Sequence, residues 1–151
     1  MEQVLTLQFK HFSSHELLPA DDLELIKAAQ EAAQKAHAPY SEFHVGAAAR
    51  LKSGKILSAA NCESEVFPSG MCAERSLLYY LQTNHPDDPI LALAIASSPA
   101  TRECTPCGSC RQAILDAQRR QASPIRIIMS CNTSATAVAS AEILLPFSFR
   151  L

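Results

Sequence analysis

Apolar and polar positions change period several times along the chain, and each change marks an element. Val4 to Phe9 alternates loosely and predicts a strand; after Ser13, Ser14 and Pro19, Asp21 or Asp22 can cap a helix running to about His37. Leu23, Ile26, Ala29, Ala33 and Ala36 form its apolar stripe, and Pro39 stops it. VGAAARL, KSG and KILSAA then read as two strands joined by a tight turn. From Cys72 the run CAERSLLYYLQTN is helical, with Leu77, Leu78 and Leu81 inward, and ends before Pro86. ILALAIAS from Ile90 predicts a buried strand, CRQAILDAQRR a further helix, IRIIMS another strand, and AEILLPFSF a helical turn before Pro146. Strand, helix, strand, helix, strand behind an antiparallel hairpin predicts an α/β fold whose mixed sheet carries flanking helices.

Composition narrows the function classes. With 151 residues there is room for one domain and none for a second, and no internal repeat is present. Thirteen basic against fifteen acidic side chains give a net charge of -2, without the basic excess of a nucleic-acid binder. The N-terminus lacks the basic and apolar regions of a secretory signal, and no apolar run approaches a membrane span. The expectation is a cytoplasmic protein with neither nucleic acid nor membrane as partner, in which six cysteines serve as thiols or metal ligands rather than disulfides.

Their spacing is informative. Cys107 and Cys110 form C-x-x-C, with Pro106 before it and a turn-favouring Gly108 within it, a spacing that suits zinc. Cys72 opens another predicted helix, so if both helices start at one sheet edge the three sulfurs converge, and helix N-termini favour the thiolate form. Three protein ligands leave a fourth position open for catalysis, whereas Cys104 or His85 as a fourth ligand would make the site structural. Glu74 follows Cys72 by two residues and can enter the same site only if Cys72 is the cap and Glu74 lies in the first turn; a carboxylate there can act as general acid and base in metal-assisted hydrolysis. Arg75, three residues beyond Cys72, can donate to the ligand sulfurs and offset the charge of three thiolates.

C-A-E at 72 to 74 with P-C-G-S-C at 106 to 110 resembles the zinc nucleoside deaminases. Cysteine at position 72 is similar to the small homotetrameric cytidine deaminases, as are PYSEFHVGAA at 39 to 48, Asn61 and Glu63 in N-x-E, PCGSCRQ, and ILLPFSF. The resemblance implies a three-layer α-β-α sandwich, Zn²⁺ on Cys72, Cys107 and Cys110, and Glu74 shuttling a proton to the pyrimidine N3 and then to departing ammonia. It further implies that Phe43 flanks the pyrimidine, Asn61 and Glu63 hold the ribose hydroxyls, Ala73 contributes to substrate binding, and Phe149 closes a neighbouring subunit's site in a homotetramer, or at least a homodimer. The activity implied is hydrolysis of cytidine and 2′-deoxycytidine to the uridine forms, a pyrimidine-salvage reaction. Residues 1–20 read as an extension, with an added edge strand one possible use, and 21–151 as the catalytic domain. Ser64, Glu65, Val66, Phe67 and Pro68 depart from the family's N-A-S-Y-G, which keeps open a modified cytosine nucleoside, such as an aminoacyl-nucleoside antibiotic, as substrate. A zinc-stapled binding module without turnover is the reading from a different class.

Overall fold

The computed structural model describes residues 1–151. Six strands form one mixed sheet: β1 (Lys10–Phe12), β2 (His44–Leu51), β3 (Ile56–Ala60), β4 (Ile90–Ser98), β5 (Arg126–Ser130) and β6 (Ala135–Val138), in the spatial order β1-β6-β5-β4-β2-β3. Three helices, α1 (Ala20–Ala33), α2 (Ala73–Asn84) and α3 (Gly108–Gln121), complete the α-β-α layering. Only β4 and β5 pair in parallel; the hairpin β2–β3 and the pairs β2–β4, β5–β6 and β1–β6 are antiparallel.

The period of two along the strands decides which helix each residue meets. On β4, Leu93 and Ile95 face α2 and α3, packed with Leu77, Leu78, Ile114 and Leu115. Ala92, Ala94 and Ala96 face α1, where Leu25, Ile26 and Ala29 cover them. The α1 side is lined by small residues because that helix rides close to the sheet. A Cβ on Gly46 of β2 would lie 1.9 Å from the Ala29 carbonyl oxygen and 2.5 Å from the Ala33 nitrogen.

Four expectations differ from the structure. The N-terminal strand is Lys10–Phe12, pairing with β6, and Val4 to Phe9 is exposed and outside any strand. Helix α1 starts after Pro19 and ends at Ala33 instead of His37. Its end is set from outside: the His37 N–H donates to the Asn61 carbonyl and the Glu63 N–H donates back to the His37 carbonyl, drawing the chain into an extended bridge. Of the predicted stripe, Leu23 and Ala36 are only half-buried, while Leu25 and Ala32 are buried. Strand β6 was not predicted at all, because its ATAV run is short, alanine-rich and flanked by Ser, Thr and Asn.

Topology places the site. Because β2 is antiparallel to both β3 and β4, those two strands run the same way, and the loops leaving their carboxyl ends lead into α2 and α3. Both helices therefore begin at one edge of the sheet, the edge where open α/β sheets carry ligands.

Candidate metal and substrate site

Cys72 is the N-cap of α2 and Cys107 the N-cap of α3, with Cys110 in the first turn of α3. Their three sulfurs lie within 4.8 Å of one another. Three thiolates around a tetrahedral zinc at about 2.3 Å stand about 3.8 Å apart, so the group fits that ion with little adjustment. Neither Cys104 nor His85 joins them. Cys104 is a buried thiol raised to about 11 by burial and by the Glu74 charge, and His85 caps the opposite end of α2.

Electrostatics points the same way. Burial pushes the Cys110 thiol far up, reinforced by the charges of Glu74 and Cys72. Burial also opposes ionisation of Cys107, but hydrogen bonds from Cys110 and Cys72 outweigh it and leave its pKa lowered. Three sulfurs and a carboxylate this close can all ionise only with a cation among them. Arg75 supplies part of that charge: its Nη2 donates to the Cys72 sulfur at 3.6 Å, and this contact raises the guanidinium pKa.

Glu74 occupies the second position of α2 and is 4% exposed. Burial raises its pKa, against the opposing pull of its own N–H, of Cys110 and of Arg75. A carboxyl group whose proton affinity is raised by burial, beside a metal site, is suited to exchanging protons.

A cavity of about 380 Å³ opens beside Cys72, lined by Tyr40, Asn61, Cys62, Glu63, Ser64, Phe67, Gly70, Met71 and Cys72. Its wall is a loop pinched at the base, where Cys62 and Met71 exchange both backbone hydrogen bonds. At the loop's tip, a 3-10 turn at Phe67–Ser69 presents the Phe67 ring edge-on to Tyr40, with centroids 5.5 Å apart. Asn61 is latched to the start of β2, its Nδ2 donating to the Phe43 carbonyl at 3.0 Å and its Oδ1 accepting from the Val45 N–H at 2.7 Å. One amide hydrogen and one lone pair remain for a ligand. Glu63 accepts from the N–H groups of Tyr40 at 2.9 Å and Ser41 at 3.2 Å and from the Ser41 hydroxyl, and the last of these contributes most to holding its carboxyl below the usual range.

Other candidates stand apart within one chain. Ala73 is fully buried at the start of α2, and neither it nor Phe43, which is 38% exposed, lines the cavity. The Phe149 carbonyl accepts from Arg119, twelve residues and roughly 18 Å along α3 from Cys107. Tyr40, Ser41 and Met71 were not singled out by sequence, and Phe67 entered only as part of the altered stretch at 64 to 68. Ser41 lay in plain sight within P-Y-S, but only its contact with Glu63 reveals its role.

An α/β sandwich with an open three-cysteine metal group and a buried glutamate at the helix-initiating edge of its sheet defines a zinc-deaminase type of protein. The family described as the cytidine and deoxycytidylate deaminase zinc-binding region matches residues 19–123, and the chain belongs to it. Over 92 residues it is 37% identical to the cytidine deaminase of Halalkalibacterium halodurans, covering 61% of this chain and 68% of that one. A probable cytidine deaminase of Dictyostelium discoideum is 39% identical over 87 residues, 58% of each chain. The crystal structure of a cytidine deaminase from Burkholderia pseudomallei superposes with a TM-score of 0.74 and 31% identity, covering 83% of this chain and 97% of that one.

Proposed function

We propose that the protein is a zinc-dependent hydrolase that deaminates cytidine and 2′-deoxycytidine to uridine and 2′-deoxyuridine, releasing ammonia. The observation that carries this reading is the gathering of Cys72, Cys107 and Cys110 within 4.8 Å, next to the buried carboxyl of Glu74. Zinc held by these sulfurs supplies Lewis acidity, which makes water a competent nucleophile at neutral pH. Glu74 takes one proton from the attacking water and delivers it to the ring N3, then carries the second proton, from the hydroxyl now on C4, to the amine, so that ammonia leaves as the C4 carbonyl forms. Arg75 neutralises part of the thiolate charge through Cys72.

Asn61 and Glu63 receive the ribose hydroxyls, Glu63 as an ionised acceptor pre-oriented by Tyr40 and Ser41. The cavity also favours a nucleoside over a nucleotide. Apart from the metal ligand Cys72, Glu63 is the one charged side chain in its lining and no basic side chain is there, so a phosphate would meet a carboxylate with no lysine or arginine to offset it. Cytidine is therefore turned over and cytidine 5′-monophosphate is not, which a chromatographic assay of both substrates checks.

Phe43 and Ala73 border the base, and Phe149 serves a neighbouring copy's site in a homotetramer. The distance of Phe149 from its own chain's sulfurs supports that division of labour. Within this reading residues 1–20 are an extension to a catalytic domain spanning 21–151, and the thiol ligands suit a reducing cytoplasm. The deciding experiment follows the ultraviolet absorbance of cytidine with zinc-loaded protein and its Glu74→Gln variant. Turnover that survives in the variant defeats the assignment of Glu74, and zinc-loaded protein that leaves both cytidine and 2′-deoxycytidine intact defeats the activity.

A further inference from the structure

Of the three metal ligands, Cys107 is the one that packing does not hold. Cys110 is fully buried in the first turn of α3, and Cys72 follows the paired backbone of Cys62 and Met71 and meets Arg75. Cys107 is exposed, its side chain makes no capping hydrogen bond to its own helix, and a Cβ on the following Gly108 would meet nothing within 4 Å.

A single residue brackets it instead. Arg111, one residue past Cys110, donates its backbone N–H to the Cys107 carbonyl at 2.9 Å and its side-chain Nε to the Pro106 carbonyl at 2.9 Å. Those carbonyls belong to the two peptide planes that meet at the Cys107 Cα. Because peptide units are rigid, holding both planes fixes φ and ψ there, and with them the direction of the Cα–Cβ bond that carries the sulfur. The same guanidinium reaches a third segment, its Nη1 donating at 3.5 Å to the carbonyl of Leu144, the last residue of a 3-10 turn (Ala141–Leu144) that packs on α3.

Arg111 is half-buried and has no carboxylate partner; the ion pairs of the chain are Arg50–Glu24, Arg126–Asp22 and His11–Glu103. A guanidinium offers five N–H donors in a planar fork, and here the fork is directed at neutral carbonyls on either side of the metal loop. It donates to no sulfur, which separates its part from that of Arg75.

We propose that Arg111 is a positioning residue for the metal centre, clamping Cys107 against the C-terminal turn so that its sulfur stays in register with those of Cys72 and Cys110. This rests on the reading of the three cysteines as a zinc site. An exposed ligand on an unclamped loop lets its ion go more readily, so the clamp acts on zinc retention and coordination geometry and not on nucleoside binding.

Release of zinc from the loaded full chain to a chromogenic chelator tests the proposal, beside the visible ligand-field bands of the Co²⁺-substituted protein. Arg111→Met, which keeps an unbranched side chain and removes every side-chain donor, should release zinc at least about tenfold faster than wild type and alter the Co²⁺ bands. Arg111→Lys keeps the charge without the fork, and should also release zinc faster than wild type. Gln112→Ala disturbs the same helical turn but loses only a contact to Asp116 within α3, and should match wild type. With zinc in excess, kcat of Arg111→Met should fall while KM for cytidine holds. All metal-free forms should share one circular dichroism spectrum, which a residue needed only for folding would change. Wild-type release and Co²⁺ bands in Arg111→Met, or equal acceleration in Gln112→Ala, overturn the proposal; should Arg111→Met not fold, a wild-type rate in Arg111→Lys overturns it. A wild type that takes up no zinc defeats the metal reading itself and the clamp with it.

Discussion

At the scale of single residues, the site separates groups that bind the metal from groups that move protons. Glu74→Gln keeps the size and the buried position but loses the exchangeable proton, so zinc should stay at one per chain while turnover falls by about 10² to 10⁴. Cys107→Ala should lose zinc and activity together; metal analysis beside the cytidine assay distinguishes the two. Glu63 gives the pH dependence. Its pKa is lowered in the folded chain, so the carboxylate's contribution to stability and to ribose binding is present above the usual value near 4.5 and is lost only as pH falls below it, through the depressed value. Ser41→Ala removes the largest cause of that depression, and KM measured against pH should begin to rise at a higher pH in the variant than in wild type.

Among elements, the decisive contact is the approach of α1 to β2 at Gly46. Because a methyl group there would overlap backbone atoms of Ala29 and Ala33, no side-chain rotation relieves it and the helix must move. Gly46→Ala should cost about 3 kcal/mol, read as a lower urea midpoint at unchanged m. Sequence periodicity located α2, β4, α3 and β5 to within a few residues, since each carries its own apolar stripe and turn signals. It failed where pairing decides. Val4 to Phe9 alternates as a strand does, yet no strand of the same chain lies beside it, whereas β6 has a poor strand sequence and is held between β5 and β1.

For the whole molecule, zinc would join the N-termini of two helices that pack against each other and against the sheet. Removal of the metal with a chelator should lower the melting temperature by at least about 5 °C, measured by differential scanning calorimetry. Zinc retention should also weaken as pH falls, because protons compete for sulfurs whose ionisation burial already opposes, above all Cys110. Zinc content after dialysis at stepped pH values gives that curve directly.

Sequence by itself determined the chemistry: three cysteines at helix starts, a glutamate two residues after one of them, and N-x-E after a strand are local patterns whose meaning depends on residue type and spacing. Tertiary structure decided what spacing does not encode. It excluded Cys104 from the metal group, gave Glu63 its partners across a turn more than twenty residues away, ended α1 early through the His37 bridge to Asn61 and Glu63, and set Phe67 against Tyr40 in the cavity wall. Each of these depends on which strand lies beside which. Strand order is a property of the packed sheet, in which hydrogen bonds and buried side chains join residues far apart in the chain.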